Sequence, residues 1–311
     1  MKITGAIIIL LSWLSLGKGE TLVTYLEPNC GTVVLMPTLH VISQGDETAD
    51  ILQHPWMASL RSKNVCPQHT TVRSYCTLEA ICGGSLITAQ FVLTAAHCHF
   101  NEHTTALLGS TDNYSPSESA IEIQVVQRIP HPNYNAIYLR NDIALFRLAK
   151  TVQYTDYIRP ICLTTNRNPL QFTTNLAATG WGITQTGTTS NVLKTTTLKK
   201  LHFDSCSSIY NIRIVDGSQF CAGNADSNTG QGDSGGPITA MYAINGTNRV
   251  IQLGMVSYGE YPDPSVYTNV WHYVTWIARV VGRNIQQTPR RTQRPSYAYR
   301  PRYNNRYVVY G

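Results

Sequence analysis

Three short segments carry residue types that together could hydrolyse an amide. LTAAHC offers an imidazole at His97, NDIALFRL a carboxylate at Asp142, and GQGDSGGP (residues 230–237) a hydroxyl at Ser234. Acyl transfer needs a nucleophile, a base to take its proton, a group that orients the base, and donors aimed at the developing oxyanion. Taken singly, two of these segments have plainer readings. A His beside a cystine is commonly structural, and an Asp ahead of an apolar strand is commonly a turn residue. The glycine-rich octapeptide is stronger, because so many residues without a Cβ mean a backbone in shapes that side chains forbid, or one approached closely. The three segments lie far apart in the chain, so they belong on three loops that only a fold can unite.

The elements needed to position such loops are visible between Ile81 and Trp276. GGSLIT, FVLTAA, IEIQVV, DIALFRL, VIQLGMVSYG and SVYTNV are short apolar runs rich in β-branched and aromatic residues. Turn residues recur between them at roughly the 8–12 residue spacing of an all-β sandwich or barrel. VWHYVTWIARVVG differs: Val270, Val274, Ile277 and Val281 fall at helical spacing, which predicts one amphipathic helix stopped by Gly282.

Residues 1–19 read as a secretory signal peptide, a lysine followed by an apolar run and small residues, with cleavage near Gly19. That run is too short and interrupted for a membrane span, so the expected product is extracellular. Only 14% of residues are charged, against about 25% typically, which suits an exported β protein. The net charge of +6 resides in residues 283–311, which hold seven arginines and no acid. The rest of the chain is therefore close to neutral, and the basic balance says nothing about the candidate site. This tail, interleaved with Tyr297, Tyr299, Tyr303, Tyr307 and Tyr310, reads as disordered and suited either to solvation or to a polyanion such as a sulfated glycan. Export argues against nucleic acid. Eight cysteines in an exported chain imply disulfides, whose pairing the spacing does not choose. No metal-ligand spacing is evident, and the acids Asp112, Glu118 and Glu122 of GSTDNYSPSESAIE read as solvated rather than as a calcium loop. No cofactor is expected. NYS at Asn113 and NGT at Asn245 are glycosylation sequons, expected on exposed loops.

Together with CGGSLIT, RPICL, TGWG, CAG and VSYG in the same order, the three segments resemble the chymotrypsin/trypsin family of serine proteases, in particular its secreted arthropod members. The likeness runs from HPWMASL (residues 54–60) to about Gly282. It implies an all-β fold of two perpendicular six-stranded antiparallel β-barrels with a C-terminal helix, and a site in the cleft between them. It implies His97 as general base and acid, Asp142 as its orienting carboxylate with Ser257 bonded to it, and Ser234 as nucleophile. The N–H groups of Gly232 and Ser234 would form the oxyanion hole. It also implies the disulfides Cys82–Cys98, Cys206–Cys221 and Cys30–Cys162, and leaves Cys66 and Cys76 to each other.

The domain reading that follows is a signal peptide over 1–19, a leader over 20–40 tethered by Cys30, a protease domain over 41–282, and the tail over 283–311. The partners implied are a protein or peptide substrate, an activating protease of non-tryptic specificity and a serpin-type inhibitor.

The chain departs from the family pattern in three places. Gly230 and the stretch EYPDPS stand where the family usually has a cystine, so the pocket rim should be looser. Asn228 stands at the base of the specificity pocket where tryptic members have Asp, and a neutral amide cannot pair with substrate Arg or Lys. Gly259 leaves the pocket wall open, whereas Ser265 replaces a usual glycine and should shorten the cavity. Third, the family matures by cleavage after a basic residue, and the freed amine pairs with the acid before the serine, here Asp233. Val41 or Ile42 could supply that amine, yet no Lys or Arg lies between Glu20 and Leu60. Two readings follow: an endopeptidase matured by a non-tryptic protease, or a catalytically silent protease-like binding or regulatory protein. The intact set of three residues favours the first.

Overall fold

The structure is a computed structural model and describes residues 25–34, 47–63, 78–98, 103–165, 167–184, 187–211, 217–226, 228–244, 246–259 and 262–287. Val41, Ile42, Cys66, Cys76, Asn245, the signal segment and residues 288–311 lie outside them.

Among the described residues, twelve strands make two closed barrels and a thirteenth borders the second. The first uses β2 (Met57–Lys63), β3 (Leu78–Thr88), β4 (Phe91–Thr94), β5 (Thr105–Leu108), β6 (Ile121–Pro130) and β7 (Ala144–Leu148) in the closed order β2-β3-β4-β7-β6-β5. The second uses β8 (Asn175–Gly180), β9 (Lys194–Leu201), β10 (Gln219–Gly223), β11 (Pro237–Ile244), β12 (Thr247–Tyr258) and β13 (Ser265–Asn269), and β8 closes it by pairing with both β11 and β9. A two-residue strand, β1 (Glu47–Thr48), adds to the outer edge of β9. All pairings between these strands are antiparallel. Among the described residues, closure leaves neither barrel a long unpaired edge, which is how sheets of this size avoid edge-to-edge association.

Each apolar run picked out above lies on a strand. In β4, β10 and β13 every residue is buried, without the alternation of a one-sided sheet, because neither face of these strands meets solvent. Phe91, Val92, Leu93, Leu145 and Phe146 fill the first barrel's core, and Leu176, Leu198, Phe220, Ile251 and Tyr267 belong to the second.

Two expectations about helices change. Besides the C-terminal helix there is α1 (Asp204–Tyr210), ended by Asn211 at φ 47° and anchored by buried Cys206. The C-terminal element begins as a 3-10 turn at Val270–Tyr273 and continues as α2 (Val274–Gln287) through Gly282. Gly282 stops nothing because it is not in the left-handed conformation that a terminating glycine adopts. The boundary placed at residue 282 therefore falls inside a helix, and the first five residues of the tail are helical. Val270, Val274, Ile277 and Val281 are all buried, packing the helix onto the first barrel's core.

Residues 25–31 are held to the body of the protein by more than a disulfide. Cys30 is bonded to Cys162, Leu26 N donates to Leu163 O at 3.0 Å, and Gly31 N to Pro160 O at 2.8 Å. Arg249 Nη1 donates to Cys30 O at 2.7 Å and to Pro28 O at 3.0 Å, and its guanidinium lies over the Tyr25 ring.

Candidate active site

Asp142 is the most enclosed member of the constellation, with no exposed surface. It sits two residues before β7, after a loop that uses left-handed conformations at Leu139 and Asn141. Its carboxylate accepts three hydrogen bonds: His97 N at 2.9 Å, His97 Nδ1 at 2.7 Å and Ser257 Oγ at 2.6 Å. The Asp142 carbonyl accepts from Thr268 Oγ1 at 3.0 Å, and Tyr273 OH donates to Asn141 Oδ1 at 3.0 Å. A buried carboxylate so saturated holds one imidazole orientation, with the proton on Nδ1 and Nε2 left as acceptor. Thr268 and Asn141 were not singled out in the sequence; Asn141 could have been, as an Asn at a turn ahead of a strand.

Ser234 is held by its main chain. Gly83 N donates to Ser234 O at 2.8 Å, and Cys98 Sγ, next in sequence to His97, touches the same carbonyl at 3.8 Å. The Cys82–Cys98 disulfide thus ties the His97 loop to the strand that borders Ser234. The two sulfurs and a His97 nitrogen lie within 4.8 Å of one another. As a cystine, however, the pair presents no thiolate for a metal. Cys206–Cys221 joins α1 to β10.

The loop before Ser234 is shaped from the other side by residues 180–183. Asp233 turns its carboxylate away from Ser234, accepting Gly182 N at 2.8 Å and Gly230 N at 3.0 Å. A Cβ on Gly182 would land on that carboxylate. Gly232 lies at φ 99°, where a Cβ would also stand 3.0 Å from Gly182 Cα. This explains a glycine at both positions. Beside Asp233 is a narrow cavity of ≈ 20 Å³ lined among others by Thr179, Gly180, Lys194, Thr195 and Asn228, room for about one water. The TGWG segment was the sequence trace of this wall.

Asn228 is nearly buried, and both its amide nitrogen and its oxygen are hydrogen-bonded. Its Nδ2 donates to Asp263 O at 2.5 Å, while its Oδ1 accepts from Thr229 N at 3.1 Å and Tyr267 OH at 3.3 Å. The amide therefore links the segment ahead of Asp233 to the segment ahead of Ser265. Ser265 is fully buried and packs onto Gly259, where an added Cβ would stand 2.5 Å from Ser265 Cβ.

Asn113 corrects an expectation. It is 2% exposed, its N donates to Asn191 O at 3.0 Å, and its O accepts Arg61 Nη2 at 2.6 Å. The asparagine of the sequon is thus buried in the folded protein, although Tyr114 beside it is exposed.

Comparison with known proteins agrees with this architecture. A family model described as Trypsin matches residues 42–277, so the chain belongs to the trypsin family of serine proteases. It is 33% identical over 267 residues to Melanization protease 1 of Drosophila melanogaster, covering 75% of this chain and 64% of that protein, somewhat less than two thirds of its length. It is 33% identical over 283 residues to CLIP domain-containing serine protease B15 of Anopheles gambiae, covering 82% and 72%. The crystal structure of the Drosophila Grass clip serine protease of the Toll pathway superposes with a TM-score of 0.68 at 27% identity, covering 86% of this chain and 77% of that one. The chain is an arthropod-type member of the family. Among the described residues no helix is long and apolar enough to cross a membrane.

Proposed function

We propose that the chain is a secreted serine endopeptidase that hydrolyses peptide bonds through an acyl-enzyme and does not prefer Arg or Lys before the scissile bond. One observation carries the reading: the Asp142 carboxylate, wholly buried, grips His97 Nδ1 at 2.7 Å and is itself held by Ser257 at 2.6 Å. A carboxylate is expensive to bury, and this one is enclosed against an imidazole whose other nitrogen is left to work. His97 Nε2 takes the Ser234 proton as Oγ attacks the scissile carbonyl carbon. The oxyanion is received by the N–H groups of Gly232 and Ser234. The same proton then passes to the leaving amine as the C–N bond breaks. Water, deprotonated by His97, next releases the acyl group and restores Ser234.

The neutral, self-satisfied Asn228 and the Ser265–Gly259 contact support a short pocket for a small uncharged side chain. Maturation would free Val41 or Ile42, whose amine would meet Asp233. Because no Lys or Arg lies between Glu20 and Leu60, the activating protease is non-tryptic. The names of relatives, such as Melanization protease 1 and Spaetzle-processing enzyme of Drosophila melanogaster, support a role as a processing protease with a protein substrate. Export, a serpin-type inhibitor and polyanion binding by the tail complete the proposal.

The same missing basic residue favours a second reading, a protease-like binding protein that never matures. Digesting a mixed peptide library with the secreted protein, alongside Ser234→Ala, separates them. Cleavage after small uncharged residues that Ser234→Ala abolishes supports the peptidase. An undigested library, with the leader still uncleaved in the secreted protein, supports the binding protein.

A further inference from the structure

Arg61 is the least expected residue of the first barrel. It follows Leu60 on β2, where a register shift between Leu60 and Arg61 interrupts the pairing with β3. Such a bulge re-aims a side chain. The side chain is only 8% exposed; its Nη2 donates to Asn113 O at 2.6 Å and its Nη1 lies 3.8 Å from Glu122 Oε1. Burying a cation here leaves Arg61 Nε and Asn113 Oδ1 without partners. An apolar residue of similar size would avoid that penalty, so a role beyond filling space is called for.

The segment that Arg61 grips reaches the other side of the site. Thr111 O accepts both Trp181 Nε1 and Leu193 N at 2.8 Å, Asn113 N donates to Asn191 O at 3.0 Å, and Asp112 bridges Val192. Asp112 Oδ1 stiffens the turn by accepting Tyr114 N and Ser115 N at 2.7 Å. Trp181 lies between Gly180 and Gly182. Gly182 N holds the Asp233 carboxylate, and Ile183 N donates to Gln231 O at 2.8 Å. Residues 109–115 are thus a bracket. They are fastened by Arg61 to the first barrel, and they press residues 180–183 and 191–193 of the second against the loop that carries Gly232, Asp233 and Ser234.

We infer that Arg61 is a positioning residue, whose buried guanidinium sets the oxyanion loop through the Asn113–Thr111–Trp181–Gly182–Asp233 chain of contacts. This rests on the peptidase reading for its kinetic consequence and not for its structural one. A contiguous chain of bonds is a physical route for coupling, but coupling has to be measured.

The test compares wild type, Arg61→Gln, Arg61→Lys and Trp181→Phe by amide hydrogen exchange and, separately, by steady-state kinetics. Arg61→Gln is expected to raise exchange at least tenfold at Gly182, Ile183 and Gly230, beyond the 109–115 segment itself. It is expected to lower kcat at least tenfold with KM within threefold. Arg61→Lys restores part of both, because the charge returns without the planar fork. Trp181→Phe, which keeps an aromatic ring but loses the indole N–H bond to Thr111 O together with part of the buried ring, moves the same amides in the same direction. It serves as the probe should Arg61→Gln not fold. Faster exchange confined to residues 109–122, or a kcat that follows only the folded fraction, overturns the inference. If wild type itself proves inactive, the peptidase reading fails while the exchange result still decides the role of Arg61.

Discussion

Asn228 Nδ2 donates to the Asp263 carbonyl at 2.5 Å, joining the segment ahead of Asp233 to the segment ahead of Ser265. The bond uses one N–H of the amide, and Oδ1 is taken by Thr229 N and Tyr267 OH. On the proposed reading of Asn228 as the pocket base, a substrate cation finds neither a charge nor a spare acceptor there. With matched chromogenic peptides, kcat/KM should be at least about 10-fold higher for Ala or Val than for Arg before the scissile bond, since pairing a buried guanidinium with nothing is strongly unfavourable. Preference for Arg would refute this account of the pocket. Asn228→Ala should also lower stability by about 1–2 kcal/mol in urea unfolding.

Ser257 Oγ donates to the same Asp142 oxygen that holds His97 Nδ1. Removing that donor leaves a buried carboxylate short of one charge-assisted bond worth about 1.5–3 kcal/mol. Ser257→Ala should therefore reduce kcat about 10- to 100-fold with little change in KM. A variant as active as wild type would show that the bond only fills space.

His54 packs edge-on against Trp56 at 5.9 Å and lies 3.5 Å from Thr179 Oγ1, next to the Asp233 cavity. Burial, opposed by Asp50, lowers its pKa from 6.5 to about 4. The folded state thus keeps the ring neutral while the unfolded chain takes up a proton at higher pH. Its contribution is complete above 6.5 and is lost as pH falls toward about 4. The loss approaches roughly 3 kcal/mol, at 1.36 kcal/mol per pH unit. Urea unfolding midpoints should fall over this window in wild type, and less steeply in His54→Gln.

Asn113 lies in the bracket gripped by Arg61. A glycan added before folding would keep residues 109–115 from closing on Asn191 and Arg61. Intact mass of the secreted protein, before and after N-glycosidase treatment, should be unaffected by any glycan at Asn113. A deglycosylation scar at this residue would contradict the burial seen here.

What the sequence revealed and what it hid divide along physical lines. His97, Asp142 and Ser234 stood out because imidazole, carboxylate and hydroxyl chemistry sits beside glycines and cysteines that only tight geometry requires. The strands with apolar runs, β4, β7 and β12 among them, were legible because burial demands them. β9, KTTTLKKL, was not: it is half polar, its faces divided between the barrel interior and solvent, and its only cue was β-branched threonine. The seven residues of α1 hold too few apolar positions to show a helical period, and a cystine rather than a hydrophobic stripe secures it. Arg61 escaped notice because a buried arginine on a strand looks like a surface one until its partner 52 residues away is known. Asn113 misled for the same reason.

The most direct test of the peptidase account is reaction of the mature secreted protein with a fluorophosphonate, followed by peptide mass mapping. The account predicts one adduct per chain, on Ser234, absent in Ser234→Ala and strongly slowed in His97→Ala. A folded protein with its leader cleaved and Ser234 unmodified would contradict it.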